Sequence, residues 1–324
     1  MDEQMIKSFK PEGELLATPE NREYLASPAG LERAMANGAV VEGIAVLCDS
    51  NLRLHVDLGC AIGILEPDES TFCRPGEARK DIAIVSRVGK PISARITALE
   101  KRNGSLYAHL SRRSAQRDCL LSALDDLRPG DLLRARVTHL EPFGAFLDIG
   151  CGISSLLSVD CISVSRISHP RDRLSCGETI TVAVKSVDRE AQRIYVTLRE
   201  LLGTWEENAA QFEIGQTVTG IIRSVESYGV FIELAPNLAG LAEVRGEAQS
   251  SALRQMIGKP VAVYIKSIVP DRMKIKLVLI DSECCMPSPK RITYYVDPTA
   301  SHISHWVYSP DSAKKKIETH FDGE

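Results

Sequence analysis

Three stretches of the chain repeat one pattern: NLRLHVDLG at 51–59, PFGAFLDIG at 142–150 and SYGVFIELA at 227–235. Their spacing, roughly 90 and then roughly 85 residues, is too long for a solenoid repeat and fits three small tandem domains. Other landmarks recur in step. Each unit opens at a glycine and a β-rich run: GAVVEGIAVL from Gly38, GDLLRARVTHL from Gly130 and GQTVTGIIRSV from Gly215. A second glycine, Gly89, Gly177 or Gly258, precedes another alternating run, and the units close on SLYAHL, RIYVTL and KIKLVL. Short period-2 segments bounded by Gly, Pro and Asp are strands, and five of them in about 70 residues suggest a small closed or nearly closed barrel of OB type.

The expected fold is therefore all-β: three tandem five-stranded OB-fold barrels with short helical linkers and a small C-terminal ββα extension. Residues 1–37 form an N-terminal arm with one or two short helices, and 38–115 the first barrel. Residues 128–202 form the second barrel, 203–212 a helical linker, 213–282 the third barrel, and 283–324 the extension. In the extension RITYYVD and ISHWVYS read as strands, and SPDSAKKKIETHF as a helix with Ser309 as N-cap and Pro310 in its first turn. In the linker, Leu201, Leu202, Trp205 and Phe212 cap barrel edges, and Trp205 reads as a packing anchor. The arm fits a partner-binding segment or a disordered lead-in equally well.

The direction of the aromatic side chains carries the functional reading. In GAFLDIG, Ala145, Leu147 and Ile149 take the inward positions, which leaves Phe146 and Asp148 on the outer face. In the third unit Val230, Ile232 and Leu234 fill the inward row, with Phe231 and Glu233 outside. Phe143 and Tyr228 precede Gly144 and Gly229, where a glycine permits a bend that turns the first ring onto the same face. Paired exposed rings on an OB-fold make a stacking platform for unpaired bases.

These residues resemble the RNA-binding domain of the bacterial ribosomal protein S-one family, in three copies over roughly residues 38–282. The resemblance rests on the aromatic-Gly-Xaa-Phe element, the GL-type step after it, the V-D-R turn before the last strand, and the inter-domain stretch LLGTWEENAAQFEIG. The middle copy matches best. The resemblance implies RNA contact by Phe143, Phe146, Asp188 and Arg193, with Ser158 where the family commonly has histidine. The third copy keeps Tyr228, Phe231 and the basic Lys274, but has Glu243 and Val269 at the histidine and aspartate positions, which implies weaker or altered contact. The first copy has Leu52 and His55 in place of the rings and Ser105 in place of the terminal Arg, so it reads as a docking or architectural unit.

The loop DCISVSRISHPRDRLSC at 160–176 gathers Arg166, His169, Arg171 and Arg173. Guanidinium groups there would hold phosphates while the rings stack bases. The net charge of −4 over 324 residues argues against a polycationic binder but not against a local basic patch. Nine cysteines without paired metal-ligand spacing are read as reduced thiols, and the absence of a long apolar run implies a cytoplasmic protein without membrane contact. His302 and His305, three apart, have no nearby acidic or Cys partners and read as a chance spacing, so no metal and no cofactor are expected. No GxxxxGK[ST], GxSxG or HExxH element is present, and no catalytic core fits beside the barrels. The expected function is non-enzymatic binding of single-stranded mRNA at the small ribosomal subunit. An interaction scaffold in transcription or RNA decay, with incidental RNA contact, is the alternative.

Overall fold

The structure, a computed structural model, describes residues 9–74, 76–244, 247–281 and 292–322. The N-terminal arm carries α1 (Pro19–Leu25) and α2 (Pro28–Ala36), each begun by a hydroxyl cap, Thr18 on Asn21 N and Ser27 on Gly30 N, with proline in the first turn. The first barrel follows: β1 (Val40–Cys48), β2 (Leu54–Asp57), β3 (Ile62–Leu65), the short α3 (Asp81–Val85), β4 (Pro91–Arg102) and β5 (Ser105–Ser111). The connecting helix α4 (Arg112–Asp126) leads to β6 (Leu132–Glu141), β7 (Gly144–Asp148), β8 (Ser154–Ser158), β9 (Thr179–Asp188) and β10 (Arg193–Thr197). After α5 (Trp205–Ala209) come β11 (Thr217–Glu226), β12 (Gly229–Ala235), β13 (Leu238–Ala242), α6 (Glu247–Arg254), β14 (Pro260–Val269) and β15 (Lys274–Asp281). The chain then adds β16 (His305–Val307) and β17 (Glu318–His320).

All three sheets close in the same order: the first strand pairs with the second and fourth, and the fifth bridges the third and fourth. The third and fifth strands are parallel and every other pairing is antiparallel. Alternation then sorts the side chains. Ala145, Leu147, Leu157, Val182 and Val196 fill the middle barrel, and Val230, Ile232, Val261, Val263 and Ile265 the third. Trp205 is buried in the third core, at the start of a helix whose capping box joins Thr204 and Glu207.

Helix α4 occupies residues to which the sequence patterning assigned no element. Ser111 caps it, and Ala115, Cys119, Leu120 and Leu124 lie along one face and enter the middle-barrel core. The first residue of the helix, Arg112, is buried, and its guanidinium grips both carboxylate oxygens of Glu12 in the arm, at 2.6 and 3.1 Å. Arg87 reaches the same carboxylate at 3.1 Å. Asp148, at the end of β7, accepts the backbone N–H groups of Glu12, Gly150 and Gly152. Arm, first barrel, helix and middle barrel thus meet in one buried ionic cluster. Burial alone would raise the Glu12 carboxyl, but Arg112, helped by Arg87, holds it below the usual carboxylate range. Burial and the neighbouring Glu12 push Asp148 the other way, up to about 7, against the pull of the backbone donors and Arg112.

The C-terminal extension departs from the expected ββα unit. Residues 292–298 form no strand, and the expected helix is absent: Ser309 Oγ accepts from Ile317 N, Lys316 Nζ bonds the carbonyls of Pro310 and Asp311, and Glu318–His320 pairs with His305–Val307 as a two-stranded sheet. Tertiary burial overrides local propensity here. The sheet sets Trp306 and Tyr308 into the third core and Phe321 into the middle one. Cys284, Cys285 and Arg291 lie outside the described residues, and the other seven cysteines are free thiols.

Removing one partner of a buried ion pair strands the other charge and costs about 3–5 kcal/mol. Arg112→Met is therefore expected to destabilise the junction by that amount in denaturant titration, with early hydrogen exchange in α4. The double variant Arg112→Met/Glu12→Gln should recover part of the loss. Asp148 holds its proton to a higher pH in the folded chain than in the unfolded one, so its contribution is full below about pH 4 and is lost as pH rises to about 7. The denaturation midpoint should fall across that window, and Asp148→Asn should flatten the dependence.

Candidate nucleic-acid interface

In the middle barrel the turn between β6 and β7 presents Phe143, 55% exposed, and β7 presents the half-buried Phe146. Their centroids lie 6.0 Å apart with the ring planes at 87°. The third barrel repeats the arrangement: Tyr228 is 62% exposed, and it meets Phe231 at 6.1 Å and 89°. Two independent strand pairs thus build one geometry. The glycines between the rings make it possible. A Cβ on Gly144 would lie 2.5 Å from Leu157 O, and one on Gly229 2.6 Å from Ala242 O, so only glycine lets the strand run this close to its neighbour while both rings turn outward.

Each inner ring sits in a row that crosses the whole barrel. In the middle barrel strand pairing aligns His139, Phe146, Leu156, Tyr195 and Ser186. In the third it aligns Ser224, Phe231, Leu241, Lys276 and Ser267, and in the first Leu47, His55, Ile64, His109 and Ala98. The imidazole of His139 stacks on Phe146 at 6.4 Å and 27°. His139 and Tyr195 were not singled out in the sequence; their position opposite Phe146 and Leu156 in the strand register was the signal. The middle platform therefore continues from an exposed phenylalanine through a histidine to a tyrosine, whereas the third ends on a lysine. In the first barrel the same face is an open groove bordered by the exposed Val46, Leu47 and Ile62, with His55 as its ring, held near Asp49.

The basic residues divide. Arg193 begins β10 opposite Asp188, is half exposed, and contacts Glu77 of the first barrel at 3.4 Å. Arg74, from the same first-barrel segment, bonds the carbonyls of Gln192 and Ser154 and fixes that segment beside Arg193. Asp188 accepts from Ala191 N and shapes the turn before Arg193. Lys274 is exposed at the equivalent position of the third barrel, opposite Val269. Ser158 pairs with Gly144 beside the first ring, and Glu243 is exposed.

The 160–176 loop is not the open basic loop that its sequence suggests. Arg173 is 7% exposed in its side chain and is paired with Glu233 of the third barrel. Arg223 bonds the same carboxylate at 2.6 Å and reaches back to Asp172 at 3.0 Å. Val164 N donates to Asn237 Oδ1, and Ser165 N to Pro236 O. Arg173 is thus committed to the junction between barrels and is not placed to hold a phosphate. The His169 ring nitrogen caps a short turn by accepting from Arg171 N, and Arg166 and Arg171 are exposed. Asp148 and Glu233, expected on the outer face, do leave the barrel interior, but each is covered: Asp148 by the arm and Glu233 by the preceding barrel's loop. The outer side of the second strand carries rings at one end and a buried acid at the other.

Residues 126–199 match the S1 RNA binding domain family. The chain is 30% identical over 238 residues to small ribosomal subunit protein bS1 of Staphylococcus aureus, covering 71% of this chain and 56% of that protein. The protein of the same name from Staphylococcus haemolyticus is 30% identical over 201 residues, covering 60% and 48%. The chain therefore spans about half the length of these relatives. A crystal structure described as a multidomain protein with nucleic acid binding domains, from Streptococcus pneumoniae, is 14% identical, covers 78% of this chain and 76% of its own, and has a TM-score of 0.23.

Arg173→Ala leaves Glu233 paired with Arg223, whereas Glu233→Ala strips the buried Arg173 of its carboxylate and leaves Arg223 only Asp172. Glu233→Ala should therefore loosen the second-to-third junction more, by about 3–5 kcal/mol, seen as independent tumbling of the third barrel in NMR relaxation. Arg171→Ala should leave the junction unchanged.

Proposed function

Given a middle barrel that belongs to the S1 RNA-binding domains and two flanking barrels of the same build, we propose that the chain binds single-stranded RNA, mRNA in particular, as a non-enzymatic protein of the translation apparatus. Its partner would be the small ribosomal subunit, in the cytoplasm. The observation that carries the reading is the matched pair of outward ring sets, Phe143 with Phe146 and Tyr228 with Phe231. Unpaired bases stack on such rings, and a duplex, whose bases are already stacked on one another, offers little to them. Arg193 and Lys274, two residues before Tyr195 and Lys276 of the ring rows, would supply cations beside the rings, and the exposed Arg171, with Arg166 and His169, would add cations from the 160–176 loop. Asp188 acts by shaping the turn that presents Arg193.

The first barrel has a structural part in this reading. Its segment around Arg74 and Glu77 braces the middle barrel, and Gln116 in α4 bonds both Phe72 N and Cys151 O. The scaffold reading draws on one observation, the exposed Val46, Leu47 and Ile62 where the other barrels carry rings. Sedimentation of cell lysate with and without nuclease separates the two: RNA-dependent comigration with small subunits supports the proposal, and nuclease-resistant association with other proteins supports the scaffold.

Phe143→Ala with Phe146→Ala should weaken binding to an unstructured oligonucleotide by about 1–3 kcal/mol per lost stack. Phe143 is exposed, so the fold should persist, and an unchanged denaturation midpoint for the single Phe143→Ala variant checks this. With Arg173 buried, three cations remain for phosphates, and log affinity should fall against log salt with a slope near −2, from about 0.7 per contact. Glu77→Gln frees Arg193 from its ion pair and should tighten binding modestly at low salt.

A further inference from the structure

The C-terminal sheet holds three ligand-type side chains that neither the platform nor the junctions use. His305 and His320 sit directly opposite each other in the β16–β17 register, their rings stacked at 4.0 Å and 13°. Glu318 lies two residues before His320, on the same face of β17. His305 Nε2 is 3.4 Å from Glu318 Oε2, and His320 Nε2 is 3.6 Å from Glu318 Oε1. All three residues are exposed, and one ligand atom from each falls within 4.8 Å of the others. The sequence-adjacent pair His302 and His305 is not the relevant one, because His302 is engaged by Asp131 at 2.7 Å and Asp322 at 3.3 Å.

The nitrogen-to-oxygen distances in this cluster are long for hydrogen bonds, whose mode is about 2.9 Å. Ligands about 2.0–2.1 Å from a tetrahedral zinc ion lie roughly 3.4 Å from one another. The two rings lie face to face, so their Nε2 lone pairs run nearly parallel and the side chains must turn about their torsions to splay the rings before both nitrogens aim at one ion; exposure leaves them free to turn and leaves a further position open to water. We propose that His305, His320 and Glu318 form a binding site for a divalent transition metal of the zinc class, which two imidazoles and one carboxylate suit.

The site's place in the fold gives it a structural consequence. Trp306 and Tyr308, on and just after β16, belong to the third core, and Phe321, next to His320, belongs to the middle core. Tyr308 also bonds Asn237 O through its hydroxyl, and its own carbonyl accepts from Trp205 N. An ion joining β16 to β17 therefore ties together two anchors that reach different barrels. Because it binds the folded hairpin and not the separated strands, the ion stabilises this two-barrel unit by mass action.

The test is a Co²⁺ titration of the full, reduced chain followed in the visible range, in which ligand-field bands without thiolate charge-transfer absorption separate a nitrogen and oxygen site from the cysteines. One equivalent should bind and be displaced by Zn²⁺, and Zn²⁺ should raise the thermal midpoint of the wild-type chain. His320→Ala and Glu318→Ala should each lower Co²⁺ affinity at least about tenfold, and His302→Ala should not. His305→Gln serves as a second ligand variant should His320→Ala disturb the sheet. Absence of ligand-field bands, bands accompanied by thiolate absorption, or Co²⁺ binding unchanged in both His320→Ala and His305→Gln would each overturn the proposal.

Discussion

The second strand of each of the last two barrels carries an outward-pointing acid that cannot remain buried unless a neighbouring element satisfies it, and much of the chain's organisation follows from that constraint. A carboxylate held out of water needs cations or N–H donors close by. Asp148 finds them in the arm's backbone, with Arg112 near, and Glu233 finds them in Arg173 and Arg223. Each solution recruits a segment from outside the barrel, so each acid fixes one barrel to what precedes it. Three units that resemble one another by repetition are thereby joined through two different ionic junctions.

The same strands explain why the rings stay open. Rings stand at the entry of the second strand, with a glycine between the two of each pair, and the acid follows two residues after the inner ring. Covering the acid end uses the loop and the arm, which leaves the ring end to solvent. In the first barrel the corresponding acid, Asp57, is exposed and caps Gly59 N, and the corresponding strand has no aromatic pair. Junction and platform are both reduced there, and that barrel contributes a bracing segment instead. The contact of its Glu77 with Arg193 puts an acidic group beside a cation of the middle platform.

What the sequence revealed follows from the range of the interactions concerned. Strand alternation is local, so the inward rows Ala145, Leu147, Ile149 and Val230, Ile232, Leu234, and the outward Phe146 and Phe231, were legible from period two alone. Arg173 was not, because its partner is 60 residues away in another barrel, and nothing in SRISHPRDRL separates a buried arginine from the exposed Arg166 and Arg171 beside it. Asp148 was placed on the correct side of the strand, but its cover comes from Glu12, 136 residues earlier. The segment from Ser309 has a proline start and an apolar spacing that suit a helix, yet pairing with β16 sends Phe321 into a core. His139 and Tyr195 become visible only once register aligns them with Phe146.

The central claim is that the bases meet the rings and that the arginine-rich loop contributes phosphate contacts alone. Ultraviolet crosslinking of the full chain to a short unstructured oligonucleotide, read residue by residue by mass spectrometry, tests it most directly. The account predicts adducts concentrated on Phe143, Phe146, Tyr228 and Phe231, extending to His139 and Tyr195, with few on the first barrel. Adducts centred on residues 160–176 or on the first barrel, with the four rings unmodified, would contradict it.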